Sequence, residues 1–540
     1  MKDISSTGSF INFYLNNYIY VDKTKYIRDL IKLERVFISR PRRFGKSLTL
    51  DTIATLFETG VEPYFKGTWI YDKWTEPTYP VLRLNFLDLD KYSLEHFKQK
   101  LNAIISSFAR DINVKNYEEK VEPEDTIYFL LDELRKEKRQ IVILIDEYDC
   151  QMTANINNET LYKQFQEKIK SFYANIKDKF AIKFLGITGV TRLKDVAIFS
   201  VGSDINDITN DSAYSQMIGF TRDEIKKYYI DYLTLAASYE NKCRVEEVTD
   251  TQIESMLDMM AQNYDGYCFD EFYKKKVFST WSVNKFFQSV VSNKFVYFGE
   301  YWYDNGGLPS ILVNYLKTHE LNIFEYLDKD KFLKVSSDDF KNPTALTTIN
   351  QNVLMCQTGY LTLRSDLNKT STVALGIPNG EIYKALNRLL ANNIFKGNTD
   401  ITDDYGRSLL EVGTVDDIIN LFNSALNSVS YDNYPIVSES SVQNMLKLYL
   451  LGAHQKVLSE VHEAKGRADL VVNTDNRRIV FEFKYAKNET EAKSKLHDAV
   501  EQIKTRGYGN IVPNKTELLR IAAVFNADPK VRAFTEYQEV

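Results

Sequence analysis

The chain has 540 residues, with 68 Lys and Arg against 74 Asp and Glu, a formal net charge of −6 and four cysteines. Such a length exceeds what one hydrophobic core serves and predicts two to four domains. The acidic balance excludes a general polyanion binder, so nucleic-acid affinity has to come from a local basic surface. There is no apolar run long enough to span a membrane, and Met1-Lys2-Asp3-Ile4-Ser5-Ser6 carries no apolar signal core. Cys150, Cys243, Cys268 and Cys356 are scattered without CxxC spacing. A cytoplasmic protein without membrane contact, disulfide framework or thiolate zinc site is expected. The 35 Tyr and 32 Phe are spread along the chain and are assigned to packing. With 22 Gly and 11 Pro, long disordered linkers are not expected.

In chain order, Tyr20-Val21-Asp22-Lys23-Thr24 precedes an amphipathic helix whose apolar face is Tyr26, Ile27, Leu30, Ile31 and Leu33. Val36-Phe37-Ile38 then reads as a short strand running into Ser39-Arg40-Pro41-Arg42-Arg43-Phe44-Gly45-Lys46-Ser47, and a helix continues through Leu48, Ile53, Leu56 and Phe57. Strand, basic loop and helix start make a phosphate cradle, because exposed N–H groups and the helix dipole favour a polyphosphate. Lys46 reaches the outer phosphates and Ser47 ligates Mg²⁺ in that scheme. Pro80 to Phe86 reads as a second strand, with helices over 93–110 and 125–138. Ile141 to Ile145, apolar on both faces, reads as a central parallel strand delivering Asp146 and Glu147 to its carboxyl end, where ligands sit in such sheets. Asp146 then holds Mg²⁺ through water beside Ser47, and Glu147 orients and deprotonates the attacking water. A helix over 158–177 leads to the strand Ile182 to Ile187 and to Thr188-Gly189-Val190-Thr191-Arg192. Thr188 is assigned to sensing the γ-phosphate and Arg192 to stabilising developing charge; a strand end with a solvated arginine is the alternative. The alternation predicts a parallel α/β sheet covered on both faces.

Taken together, Tyr20 to Thr24, Arg40 to Ser47, Asp146-Glu147-Tyr148-Asp149 and Ile187 to Val190 resemble the AAA-ATPase-like family found fused to PD-(D/E)XK nuclease domains. In that family an arginine-rich loop replaces the first P-loop glycine, as Arg40 does here. The resemblance implies ATP and Mg²⁺ as cofactors, with Arg42, Arg43, Phe44, Gly45, Lys46, Ser47, Leu48, Asp146, Thr188 and Arg192 around the nucleotide. It covers about the first 300 residues and continues in patches: Tyr264 to Tyr267, Trp281 to Phe287, Tyr301-Trp302, Gly306 to Ser310 and Gln357 to Leu361. Residues 220–365 are expected to form a helical lid with a winged-helix-like unit, and Leu375 to Asn379 a turn.

The last hundred residues read as helix from Val442, strands Lys456 to Val461, Arg467 to Asn473 and Arg478 to Tyr485, helix Thr490 to Thr505 and strand Leu518 to Phe525. That αβββαβ order resembles the core of PD-(D/E)XK nucleases. With a hairpin loop at 474–477, Asn473 pairs with Arg478 and Asp469 falls opposite Glu482, with Cβ atoms about 5 Å apart. Carboxylates that close repel unless a divalent cation lies between them. Mg²⁺, or Mn²⁺ in its place, is therefore expected at Asp469 and Glu482, with Lys484 on the same face as Glu482 to position the bound water or steady the pentacovalent charge. Gln502, beside the apolar face of the following helix, is implied by the resemblance as a supporting catalytic residue, and Glu460 as a further carboxylate. Ala468 stands where the motif has proline, and no clear acid is visible in the helix from Val442. His454, His462 and His497 fit no zinc spacing and are assigned to the surface or to the neighbourhood of DNA.

The expected division is an AAA-like ATPase over 1–219, the lid over 220–365, connecting helices over 366–430 and a nuclease-like domain over 431–540. The expected function is ATP-coupled, Mg²⁺-dependent cleavage of DNA, ahead of RNA, with a homo-oligomer compatible. Two other classes remain open: a nucleotide-dependent signalling or defence switch with a toxic nuclease output, and an ATPase whose C-terminal domain holds DNA without cutting it.

Overall fold

The computed structural model describes residues 1–176, 180–193, 204–304, 310–316, 323–343, 345–395, 404–453, 455–463, 466–509 and 517–540. Gly306 to Pro309 and His454 lie outside the described residues, as do the side chains of Glu460 and His462. The chain forms two compact units, Met1–His319 with Phe332–Ile382, and Glu320–Lys331 with Tyr383–Val540.

The first unit is organised on a parallel sheet of β1 (Arg35–Ser39), β2 (Val81–Asn85), β3 (Ile141–Asp146), β4 (Ile182–Gly189) and β5 (Asn206–Asp207), in the order β2-β3-β4-β1-β5. Every residue of β1 is buried, as are the five apolar residues of β3, which is what a strand covered on both faces requires. The register aligns Ser39 with Gly189 and Asn85 with Asp146, so the basic loop and the acidic pair leave the sheet from the same edge. Next come helices Arg222–Tyr228, Ile230–Asn241, Asp250–Tyr264 and Thr280–Asn293, whose core includes Tyr229, Leu233, Met256, Phe286 and Phe287. Ile19 and Val21 from the N-terminal segment are buried in that same core, which ties these helices to the unit that holds the ATPase sheet. A small antiparallel sheet, β6 (Leu333–Ser336), β7 (Thr362–Leu363) and β8 (Thr372–Gly376), follows in the order β6-β8-β7. The turn expected from Leu375 begins only at Ile377, because Val373 and Leu375 bury alternate positions and carry the strand through Gly376.

The second unit holds a mixed sheet of β9 (Lys456–Glu463), β10 (Gly466–Asn473), β11 (Arg477–Ala486), β12 (Glu517–Asn526) and β13 (Ala533–Glu539), in the order β13-β12-β11-β10-β9. β11 and β12 run parallel; their crossover helix Glu489–Arg506 packs Ala499, Val500 and Ile503 onto Ala468, Val471, Val480 and Ala522. β13 extends the expected αβββαβ order; with only Phe534 buried, it had little apolar alternation to announce it. Residues 404–427, expected as connecting helices, belong to this unit: Phe422 meets Phe481 at 5.4 Å between ring centroids, and Asn423 exchanges two hydrogen bonds with the Phe534 backbone.

Candidate functional sites

At the carboxyl edge of the first sheet, Gly45 has φ 101°, a left-handed conformation that glycine adopts without penalty, and it turns the loop into the helix Lys46–Thr59. Lys46 is buried, and its Nζ donates to the carbonyls of Arg40 (3.1 Å) and Pro41 (3.3 Å) and lies 3.5 Å from Glu147 Oε1. Ser47 Oγ donates to Asp146 Oδ2 at 2.6 Å, the Thr188 hydroxyl donates to Asp146 Oδ1, and Glu147 N donates to Oδ1 at 3.0 Å. Five expected residues, Lys46, Ser47, Asp146, Glu147 and Thr188, thus meet in one hydrogen-bonded corner. Thr188, buried, acts here as a prop for Asp146.

The other half of the acidic motif faces inward. Tyr148 and Asp149 are buried; the Tyr148 hydroxyl donates to Thr191 O, and Asp149 accepts from Thr191 N and Oγ1 at 2.7 and 2.6 Å. Burial, and then the Glu147 charge, hold the Asp149 carboxyl above its ordinary range. Gly189 packs so closely on the Tyr148 ring that a Cβ there would lie 2.4 Å from Cδ1.

A cleft of about 350 Å³ opens over this corner, lined by Arg42 to Thr49, Glu147, the N-terminal Ser5 to Gly8, Met217 to Phe220, Trp281 and Asn284. Its size and mostly apolar wall suit a nucleotide base beside a phosphate cradle. The distant wall segments escaped sequence reasoning, since nothing local to Ser5 to Gly8 announces them. Asn284 Nδ2 holds Ser5 O at 3.2 Å, and Phe10 N donates to Asp51 Oδ2 at 2.6 Å, which pins that segment beside the loop helix.

Three expected residues have side chains engaged by the protein itself. Arg43 Nη1 donates to Tyr301 O (2.9 Å) and Trp302 O (3.3 Å) and its guanidinium stacks on Trp281, while Phe44 is buried among Tyr267, Phe269 and Trp302. Arg192 does not reach the cleft. It is ion-paired with Asp207 on β5, and it lines a separate small cavity behind the loop with Arg40. The pairing could not be foreseen because the two-residue β5 has no sequence pattern.

In the second unit the hairpin register is Asn473 with Arg478, Val472 with Ile479, Val471 with Val480 and Leu470 with Phe481. Asp469 follows next, and its Oδ2 accepts from Phe483 N at 2.8 Å, beside Glu482. Glu482 is wholly buried; Oε1 takes Lys484 Nζ at 2.7 Å, and Oε2 has no hydrogen-bond partner among the described residues. Burial first, and then the Asp469 charge, push this carboxyl up to about 7. Lys484 Nζ also lies 3.5 Å from Glu439 Oε1. Sequence reading saw no acid in this helix because it placed the start at Val442; the helix is Glu439–Gly452, with Ser438 as its capping residue, and Glu439 lies in its first turn. The signal was present as Ser438-Glu439, a cap followed by an acid in the first turn. Gln502 Nε2 donates to the Tyr508 hydroxyl at 3.3 Å.

Among the described residues no three His, Cys, Asp or Glu side chains form a ready-made metal cage. The donor chemistry nonetheless fits a divalent cation, because a buried carboxylate oxygen without a donor beside a second carboxylate is what a hard cation relieves.

Residues 5–199 match the family described as "Predicted AAA-ATPase", and residues 437–535 match the PD-(D/E)XK nuclease superfamily. An uncharacterized protein in the vnfD 5' region of Azotobacter chroococcum mcd 1 is 26% identical over 532 residues, covering 95% of this chain and 94% of that protein. The crystal structure of Cdc6p from Pyrobaculum aerophilum is similar over 68% of this chain and 93% of that one, at 11% identity and a TM-score of 0.23. Among the described residues no helix is long and apolar enough to cross a membrane. The phosphate loop with its acidic strand, and the carboxylate hairpin with its crossover helix, thus fall within the two matched segments: the chain carries an AAA-ATPase-like domain and, C-terminal to it, a PD-(D/E)XK nuclease-superfamily domain.

Proposed function

We propose that the protein is an ATPase coupled to a Mg²⁺-dependent nuclease that cuts DNA. The observation that carries the nuclease half is the buried, donorless Glu482 Oε2 beside Asp469 and Lys484. Asp469 and Glu482 would hold a divalent cation, which supplies Lewis acidity at the scissile phosphate and lowers the pKa of water. Lys484, freed from its pairing with Glu482, would neutralise charge on the phosphoryl oxygens, and Glu439 would keep its ammonium aimed into the corner. In the first unit, Ser47 and Asp146 would hold Mg²⁺ with ATP, Lys46 would turn from the loop carbonyls to the outer phosphates, and Glu147 would take a proton from water. Gating of one activity by the other has a physical rationale: an uncontrolled nuclease damages its own cell.

The test is cleavage of linear and circular DNA with Mg²⁺ or Mn²⁺, with and without ATP, comparing wild type, Lys46→Ala and Asp469→Ala. Loss of cutting in Asp469→Ala together with altered cutting in Lys46→Ala is the expected result. DNA that is bound but stays intact in every metal would refute the nuclease half and leave a DNA-holding ATPase. Equal cutting by wild type and Lys46→Ala at all ATP concentrations would refute the coupling.

A further inference from the structure

The phosphate loop carries three arginines, and two are spent on the protein itself. Arg40 is buried, its Nη1 donating to Ser39 O at 2.9 Å and Thr209 O at 2.6 Å, with the guanidinium 4.2 Å over the Phe269 ring. Arg43 holds the Tyr301 and Trp302 carbonyls and stacks on Trp281. Beyond the loop, Arg192 is paired with Asp207. Lys23, which also lines the cleft, is tied to Glu224 and Gln216 O. Arg42 differs from all of these. It is half-buried, lines the cleft with Lys46, Ser47 and Glu147, and makes no hydrogen bond or ion pair among the described residues.

Holding a guanidinium beside a cleft with no acceptor forgoes some solvation without gaining a protein contact, which makes sense where a ligand anion completes its shell. Arg42 and Glu147, the residue assigned above to take a proton from water, line the same cleft.

Resting on the ATPase reading above, we propose that Arg42 is the charge-stabilising arginine of hydrolysis, supplied in cis by the phosphate loop itself, in the role that Arg192 was expected to fill. In the step it serves, the oxygen of water forms a bond to the γ-phosphorus while the bond from that phosphorus to the β–γ bridging oxygen breaks. The water proton passes to Glu147, and the bond's electron pair leaves with ADP. Negative charge grows on the bridging and γ-oxygens, and a planar guanidinium can span two of them. Because the arginine comes from the same chain, a neighbouring copy is not needed to complete the site.

The experiment is steady-state ATP hydrolysis and ATP binding by the full chain carrying Arg42→Ala, Arg42→Lys, Arg192→Ala or Lys46→Ala, with a thermal melt for each. The expected result is a kcat at least about 100-fold lower in Arg42→Ala with its Kd for ATP within about threefold, partial recovery in Arg42→Lys, and Arg192→Ala within about twofold of wild type. The rate per molecule should not change on dilution. ADP with aluminium fluoride, a mimic of the transition state, should bind wild type more tightly than ADP alone and lose that gain in Arg42→Ala. Wild-type kcat in Arg42→Ala, collapse of kcat in Arg192→Ala, or a rate per molecule that rises with protein concentration would each overturn the proposal. Hydrolysis absent from wild type, or undiminished in Lys46→Ala, sinks the ATPase reading itself and Arg42 with it. If Arg42→Ala melts early, Arg42→Lys and the fluoride complex still decide between these outcomes.

Discussion

The phosphate-loop corner and the Asp469–Glu482 corner each set a lysine against carboxylates, but they are left in opposite states. Both oxygens of Asp146 accept hydrogen bonds, from Ser47 on one side and from Thr188 and the Glu147 backbone on the other. Glu482 has one oxygen on Lys484 and the other without a donor, in a wholly buried position next to a second carboxylate. The first corner is satisfied by protein hydrogen bonds; the second carries an electrostatic penalty that a cation would remove. Another buried carboxylate differs from Glu482 in its hydrogen bonding: Glu381, in the first unit, accepts from Ser282 Oγ at 2.7 Å and from Trp302 N at 2.8 Å, so neutral donors serve both oxygens.

The sharpest way to break this contrast is Asp469→Ala, for which DNA cleavage in Mg²⁺ should fall by about a thousandfold or more with the fold intact by circular dichroism. Residual cutting above about a tenth of wild type would mean that Asp469 is no part of the reacting site. Next in size is the effect of pH on Glu381. Its carboxyl is raised from 4.5 to about 8, mainly by burial, so its contribution to stability is complete below pH 4.5 and is lost as pH rises through about 8. Between pH 4.5 and 7 the loss should be roughly 3 kcal/mol, and Glu381→Gln, which keeps the shape and the acceptor for Trp302 N, should flatten it. A pH profile of the first unit's melting transition that is unchanged by Glu381→Gln would disprove that assignment.

A smaller effect tests the cation demand directly. Mn²⁺ at about a hundredfold its Kd should stabilise the second unit by about 2.7 kcal/mol, and Glu482→Gln should abolish that gain, whereas the first unit should respond to metal only together with nucleotide. Equal stabilisation of both units by metal alone would erase the distinction between the corners. Smallest is Glu439→Ala. By releasing Lys484 from one partner it should slow cleavage roughly tenfold without changing the melting transition by more than about 1 kcal/mol.

What the sequence revealed and what it hid follow one physical division. Lys46, Ser47, Asp146 and Glu147 were legible because loop, strand and helix are local signals, and β3 announces a two-sided burial in five consecutive apolar residues. Asp469, Glu482 and Lys484 were legible because an antiparallel register, once the turn is known, fixes which side chains meet. The committed state of Arg43 and Arg192 was not legible, since their partners lie at Tyr301, Trp302 and Asp207, reached only through tertiary packing. Glu439 was missed for a different reason: helix ends are set by capping, and the apolar periodicity used to place that helix starts at Val442, three residues after its first residue. The N-terminal wall of the cleft had no signal at all, because a segment that lines a pocket with Ser, Thr and Gly looks like any loop.

The contact between Gly189 and the Tyr148 ring has a consequence for how this sequence can drift. With a Cβ at 189 landing 2.4 Å from Tyr148 Cδ1 and 2.8 Å from Asp149 Oδ1, position 189 is not free to vary while that ring and carboxylate stay in place, although it belongs to a different motif. A library randomised at both positions should therefore return glycine at 189 wherever an aromatic ring is kept at 148.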